Sequence, residues 1–447
     1  MPPQPPSAAS RDEPVIRDRG DACPGALRLH AADDGFLARV RIPGGLLDAD
    51  AALLLADAAD RLGDGHVDLT SRGNAQLRGL GASCGGELQD VLVRAGLLPA
   101  PTHERVRNIV ASPLTGLDRR GLPDVAPWVA ELDRLLCASA PAAALSGRFL
   151  FALDDGRGDV TSLAADISLT AHGDDRALLW TAGPAGPADA LLVAAADAPR
   201  AALEAAAYFL DAALEAGTRA WRVTELPAEH ALESAALAAR LGAAGIEAAL
   251  VRDAVDAAAP HAPHGPAPEP GLVEGPDGTT ALSVSARLGR LTTAQWRRLA
   301  GLTGRVRLTP WRGIIVPGVP ARTAARELAG LAEDGLITTP DDPWRSVTAC
   351  TGRPGCAKSR ADVRADAHAV VARATGPQHP LPVHWSGCER RCGHPRGTAW
   401  VDVVATPAGY DLTADGGGTT RRGLRTCELP AALADAHRTT SHDAAKK

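Results

Sequence analysis

The sequence predicts an α+β protein made by internal duplication: two small strand–helix–strand–helix units paired about a pseudo-two-fold axis, each followed by a larger α/β segment. Three observations predict it. First, the chain repeats itself. Gly65-His-Val-Asp-Leu-Thr-Ser-Arg72 resembles Gly304-Arg-Val-Arg-Leu-Thr-Pro-Trp311 at an offset of 239 residues. Ala95-Gly-Leu-Leu98 resembles Asp334-Gly-Leu-Ile337 at the same offset, and Arg107-Asn-Ile-Val-Ala-Ser112 resembles Arg345-Ser-Val-Thr-Ala-Cys350 at 238. Matches in one order at nearly one spacing mark a long duplication, not a short solenoid repeat. Second, both copies share one hydrophobic plan: an alternating strand (Phe36–Ile42; Ala281–Leu288), a helix (Ala51–Leu62; Thr293–Leu302), a strand with a Leu-Thr motif, and a helix ending at Gly-Leu. Third, 447 residues at 45% hydrophobic and 22% charged exceed one ordinary core.

Residues 1–21 form a Pro-rich, then charged tail, expected to be disordered, with no apolar run of a secretory signal. Residues 22–99 make the first unit and 100–252 its larger follower. The most apolar stretch, Ala188–Ala216, is broken by Asp197, Arg200, Glu204, Asp211 and Glu215, which suits soluble Ala-rich helices rather than a membrane span. Residues 253–270 are rich in Pro, His and Ala and read as a linker. His261 and His264 within it, with His230 before it, give no metal-ligand pattern. Residues 271–339 make the second unit, 340–435 its follower, and 436–447 a tail. A net charge of −6 excludes a nucleic-acid binder driven by bulk positive charge. Only Lys358, Lys446 and Lys447 are lysines among 47 basic residues; that bias reads as codon composition. A cytoplasmic protein is expected, and there eight cysteines point to metal binding rather than to disulfides.

Four of those cysteines form two close pairs. Cys350-Thr-Gly-Arg-Pro-Gly-Cys356 is C-x₅-C and Cys388-Glu-Arg-Arg-Cys392 is C-x₃-C. Four thiolates can hold one cubane iron–sulfur cluster, one on each iron. The flanking Gly352, Gly355, Gly387 and Gly393 let backbone N–H groups turn toward cluster sulfides. Structural zinc sites space their first pair by two to four residues, so zinc fits C-x₅-C poorly. Four unligated thiols acting as small hydrophobes are the remaining alternative. Cys23, Cys84, Cys137 and Cys427 are scattered and read as structural thiols, Cys23 least securely.

The first half has Ser112 where the second has Cys350. It carries instead Thr70-Ser-Arg-Gly-Asn-Ala-Gln-Leu-Arg78, Arg105-Val-Arg-Asn-Ile-Val-Ala-Ser-Pro113 and Ser146-Gly-Arg-Phe149. Arg72, Asn74, Gln76 and Arg78 alternate, so a strand there would turn them to one face. Arginine holds carboxylates with paired hydrogen bonds. One half is thus expected to hold a metal and the other an anion. No G-x-G-x-x-G or Walker A motif is present: Gly79-Leu-Gly81 and Gly416-Gly-Gly418 do not qualify. Electrons are therefore expected from a separate reductase.

Together these residues resemble the nitrite and sulfite reductase superfamily over about residues 22–435. The resemblance implies duplicated ferredoxin-like half-domains, each followed by a larger α/β domain, and a 4Fe–4S cluster on Cys350, Cys356, Cys388 and Cys392. Cys23-Pro-Gly-Ala-Leu-Arg28, Asp68-Leu-Thr-Ser-Arg-Gly-Asn-Ala-Gln-Leu-Arg-Gly79, Arg107-Asn-Ile-Val-Ala-Ser-Pro-Leu-Thr-Gly116 and His384-Trp-Ser-Gly-Cys388 are most similar to its branch in aerobic cobalamin biosynthesis. That branch implies an oxygenase that hydroxylates precorrin-3A at C20 and forms a γ-lactone, using dioxygen and NADH-derived electrons from a partner reductase. The family's siroheme- and anion-binding basic positions match Arg72, Arg107 and Arg148. With Asn74 and Gln76 these are implied to hold the carboxylates of the tetrapyrrole. Sulfite-reducing relatives carry a basic residue on each side of a phenylalanine in the third motif, whereas here Leu150 follows Phe149. That departure suits a larger substrate in the former siroheme pocket, and siroheme itself is not expected. Siroheme-dependent sulfite or nitrite reduction stays as the alternative. The branch further implies an additional non-heme iron. His384 and His394 flank the second cysteine pair and read as hydrogen bonders beside such an iron rather than as its ligands.

Overall fold

A computed structural model describes residues 21, 23–183, 189–252, 265–276, 278–373, 381–395, 398–414 and 420–444. The expected N-terminal tail, apart from Asp21, and most of the expected linker lie outside the described residues. The first unit runs β1 (His30–Ala32), β2 (Gly35–Val40), β3 (Leu46–Asp48), α1 (Ala49–Leu62), β4 (His66–Leu69), β5 (Ala75–Leu80) and α2 (Gly85–Arg94). Its follower runs β6 (Ile109–Ala111), α3 (Ala126–Ala138), β7 (Phe151–Asp154), β8 (Ile167–Ala171), β9 (Arg176–Thr181), β10 (Ala190–Ala194), α4 (Ala198–Glu215), α5 (Ser234–Ala243) and β11 (Ala248–Val251). The second unit runs β12 (Gly271–Glu274), β13 (Thr279–Ser285), β14 (Arg290–Thr292), α6 (Thr293–Thr303), β15 (Arg305–Leu308), β16 (Gly313–Pro320) and α7 (Ala321–Glu333). The last segment runs β17 (Val347–Ala349), α8 (Val363–Val371), β18 (Val383–Ser386), β19 (Val401–Thr406), β20 (Gly409–Ala414), β21 (Arg421–Leu424) and α9 (Leu429–Ala444). Residues 436–444, expected as a tail, are therefore helical; Leu429 and Ala432 bury the start of α9, and a helix once nucleated propagates cheaply.

The two units exchange a strand. The first sheet is ordered β1-β2-β5-β4-β14 and the second β12-β13-β16-β15-β3, so each takes its last strand from the other copy. Leu291 pairs with Val67 and, at the two-fold counterpart, Leu47 pairs with Val306. The exchanged strands end in helix caps. The Asp48 carboxylate accepts from Ala51 N at 2.8 Å, and Thr292 forms a capping box with Gln295. Helices α1 and α6 meet across the axis, where buried Trp296 donates its indole N–H to the Ala52 carbonyl at 2.8 Å. Leu55, Val67 and Leu77 share one core with Trp296, Leu299 and Val316.

The two followers also match. Strands β6, β7 and β8 are parallel neighbours, as are β17, β18 and β19, and antiparallel strands complete each sheet. Ser112 and Cys350 each follow the first strand of their sheet. The loops after β7 and β18 are likewise equivalent, so the duplication aligns two loop pairs with unlike contents.

Candidate functional site

The thiol loops lie between two polar sheet faces. In the first sheet Arg39 pairs with Gln76, Gln76 with Asp68, and Asp68 with Arg290, one row across four strands. In the last sheet Thr348 pairs with His384 and His384 with Asp402. Two clamps join the faces. Arg78 donates twice to Asp34, at 3.0 and 2.9 Å, and reaches the Gly355 carbonyl at 3.1 Å. Arg364 on α8 donates to Asp68 at 3.1 Å and to the Cys350 carbonyl at 3.3 Å. Gly355 has to be glycine, since a Cβ there would lie 2.7 Å from Asp34 and 2.9 Å from Arg78.

Cys350, Cys356 and Cys388 are half-buried and Cys392 is exposed. Gly387 N–H points at Cys350 Sγ, 3.2 Å away. Burial pushes the Cys350 thiol pKa up, the N–H groups of Gly387 and Gly352 draw it down, and the Cys392 and Cys388 thiols push it up again. Three of the four sulfurs are thus electrostatic neighbours. Buried His384 Nε2 and Ser386 Oγ, on the same face of β18, have no hydrogen-bond partner among the described residues. Buried polar atoms without partners are rare unless a ligand serves them. Sulfide-rich cluster edges would serve these two, so the residues present fit an iron–sulfur cluster. Among the described residues no three Cys, His, Asp or Glu side chains converge closely enough for a single ion; a cubane spreads its four thiolates over four irons.

The histidines sit as hydrogen bonders. His384 Nδ1 meets Thr348 Oγ1 at 2.8 Å and His394 Nδ1 meets the Pro395 carbonyl at 2.7 Å. Trp400 packs against both rings, 5.8 Å edge-on to His384 and 5.2 Å stacked on His394. Burial lowers the His384 pKa to about 4, against a raising contact from the Cys392 backbone, with Arg312 and His394 lowering it further.

Beyond Gln76 the first sheet carries a group of cations. Arg39 donates to Gln76 at 3.3 Å. Arg41, buried, donates to the carbonyls of Arg105 and Gly147, each at 3.2 Å. Arg72 reaches the same Gly147 carbonyl at 3.5 Å. Cys23 Sγ lies 3.6 Å from Arg41 and 3.9 Å from Arg39. Among the described residues none of these three arginines has a carboxylate partner. Burial pushes the Arg72 pKa down to about 10, helped by Arg222 and Arg41; burial also lowers Arg41. Asp21 ties the segment in place, accepting from Gly147 N at 2.7 Å and Ser146 Oγ at 2.9 Å.

The expected anion-binding set is only partly assembled here. Arg72 and Gln76 join the group, though Arg72 lies in the turn before β5 rather than on the strand. Arg148 is exposed and stacks over the Trp221 ring at 5.3 Å. Asn74 is buried and used up: its Oδ1 accepts from Ile42 N at 2.8 Å and its Nδ2 donates to Asn108 at 3.3 Å. Arg107 is turned away, forked onto Asp133 at 2.7 and 2.7 Å and onto the Leu97 carbonyl at 2.8 Å. Both are framework residues, and neither faces the cation group. Arg39 and Arg41 went unread, although their two-residue spacing beside β2 is the same signal that picked out Gln76. The Ser146–Phe149 motif contributes mainly its Gly147 carbonyl.

The equivalent loops of the first half are closed by charge. Ser112 Oγ donates to Asp159 Oδ1 at 2.7 Å. Asp154 accepts from the N–H groups of Gly156 and Gly158, each at 2.8 Å. Arg157 forks onto Asp155 at 2.9 and 2.6 Å and reaches Asp118 at 2.9 Å. Burial, with Asp154 beside it, pushes Asp159 up to about 7. Leu150 is buried in a small apolar cluster with Val110 and Ala152, so no charge follows Phe149.

The nitrite/sulfite reductase ferredoxin-like half domain matches residues 29–83 and 273–334, one match in each half. The chain therefore carries both ferredoxin-like half domains of the nitrite/sulfite reductase type, and the relatives it is similar to are oxidoreductases. It is similar to the precorrin-3B synthase of Sinorhizobium sp, 27% identical over 412 residues, covering 90% of this chain and 84% of that protein. It is also similar to the ferredoxin–nitrite reductase of Synechococcus elongatus, 28% identical over 397 residues, covering 81% and 74%. The fold matches the NirA protein of Mycobacterium tuberculosis with a TM-score of 0.60 at 19% identity, over 89% of this chain and 79% of that one. Among the described residues no helix is long and apolar enough to cross a membrane.

Proposed function

We propose that the chain is a precorrin-3B synthase: an oxygenase that hydroxylates the carboxylate-rich tetrapyrrole precorrin-3A at C20 and closes a γ-lactone. Dioxygen and NADH-derived electrons, relayed by a separate reductase, are its co-substrates. The observation that carries the reading is the group of Arg39, Arg41 and Arg72, cations with no ion-paired carboxylate among the described residues, on the sheet clamped to the thiol loop. Desolvated cations of this kind are stabilised by anions with good hydrogen-bond geometry. Arg39 and Arg72 would hold substrate carboxylates, with Gln76 orienting Arg39 and buried Arg41 adding positive field. Cys350, Cys356, Cys388 and Cys392 would hold a 4Fe–4S cluster, which supplies single-electron transfer when bound. His384, held by Thr348 through Nδ1, would present its Nε2 to that edge.

Siroheme-dependent nitrite or sulfite reduction is the second reading, favoured by the likeness to the Synechococcus elongatus enzyme. Leu150, buried where a second basic residue would flank Phe149, weighs against it. Anaerobic purification followed by visible spectroscopy and assays of iron, sulfide and extracted heme separates the two. About four irons and four sulfides without heme, with product formation from precorrin-3A that stops without dioxygen, is the expected result. Siroheme bands and nitrite turnover would establish the second reading. Zinc without a chromophore would remove both.

A further inference from the structure

The turn Thr70–Gly73 of the first half has a counterpart in Thr309–Arg312. Gly73 has φ of 63°, and Arg312 takes the equivalent left-handed conformation at φ 60°. A non-glycine residue there costs roughly 1–2 kcal/mol and persists where its surroundings over-determine it. The surroundings do so. A Cβ on Gly289 would lie 2.5 Å from Arg312 Cδ, so that glycine clears the path of the side chain. The half-buried guanidinium has no hydrogen-bond or ion-pair partner among the described residues. Burial lowers its pKa and Arg364 lowers it further, with Asp68 acting the other way. Arg312 also depresses His384. It lies beside β17, lining one cavity with Val347 and Thr348.

Arg312 lines a cavity of about 230 Å³ with Trp311, Trp344, Arg345 and Thr348. Whole-ligand sites usually span about 300–1,000 Å³, so this one suits an arm of a ligand rather than a macrocycle. Trp311 and Trp344 give it apolar walls for methylene groups. Arg345 is already drawn to Glu269, 3.3 Å away, which leaves Arg312 as the lining cation without a partner among the described residues.

We propose that Arg312 is a substrate-binding residue that receives one carboxylate arm of the tetrapyrrole, opposite the arm held at Arg72. The inference rests on the tetrapyrrole reading above. The two copies of one turn then grip a single ligand from both halves, the first through Arg72 and the second through Arg312. A macrocycle with carboxylates around its rim is the chemical class that can use both at once.

Arg312→Gly tests this, because it gives the left-handed position the residue that the first half uses there. Uroporphyrin III, a tetrapyrrole with carboxylates around its rim, is titrated into wild-type holoprotein, R312G, R312K and R72A, and fluorescence quenching is followed. Thermal unfolding and iron content are measured on the same samples. R312G is expected to bind about 10–100-fold more weakly, the range for losing a hydrogen bond to a charged group. Its iron content should be unchanged and its melting temperature equal or higher. R312K keeps the charge and should bind with intermediate strength. Unchanged binding by R312G beside weakened R72A would overturn the role of Arg312 and leave the tetrapyrrole reading standing. Failure of wild type to bind the probe would overturn both. Loss of iron and a lower melting temperature in R312G would show a structural residue and overturn the inference alone.

Discussion

Ser112 with the 154–160 loop and Cys350 with the 388–392 loop occupy equivalent places, yet they handle polar groups in opposite ways. In the first half Asp154 is saturated by backbone N–H groups and Arg157 is closed on Asp155 and Asp118. In the second half a backbone N–H points at a thiol, and among the described residues His384 Nε2 and Ser386 Oγ stand without hydrogen-bond partners. The first loop satisfies most of its own polar groups, leaving Asp159 Oδ2 with only a 4.0 Å ion-pair contact to Arg157. A loop that leaves groups unsatisfied is ready for a ligand and costs stability until the ligand arrives. Duplication let one sheet carry the first kind and its twin the second.

The comparison breaks most sharply at the thiols. Cys388→Ser should abolish the visible absorption and bound iron of anaerobically reconstituted protein; a retained spectrum would mean that the open loops are not the metal site. At the closed loops, Arg157→Leu strands Asp155, which is fully buried, without its cation. We expect a loss of about 3–5 kcal/mol in denaturant unfolding. A loss below 1 kcal/mol would show that the closed loops are ornamental to stability. The smallest effect is a pH slope. Asp159 has an ordinary carboxyl value of 3.8 unfolded and about 7 folded. The folded chain then holds the extra proton between those values, and stability falls as pH rises from about 4 to 7. Asp159→Asn should flatten that slope in unfolding curves taken across the window. An unaltered slope would move the proton elsewhere in the group.

The duplication and the thiol pairs were legible because they are patterns of spacing along the chain. The strand exchange was not, because β3 and β14 are three residues each, too short for alternation to register, and their partners lie in the other copy. The partner of Arg107 was hidden for a similar reason. Its motif is local, but the Asp133 that captures it lies on α3, and nothing in the motif announces that partner. Asn74 reads as polar and available, yet its side chain is spent on Ile42 and Asn108. Arg39 and Arg41 show the converse, a legible spacing passed over because no repeat marked it. Asp68 and Asp166 pair across the fold with Arg364 and Arg222.

The exchange of β3 and β14 also sets a timetable. Strand β4 emerges from the ribosome about 220 residues before the β14 that covers its edge. At roughly 5–20 residues per second the interval is about 10–45 s. During it the nascent sheet presents a row of unpaired N–H and C=O groups, a template on which any other extended segment can add. The finished fold hides this edge completely, but every copy of the chain is exposed to it once.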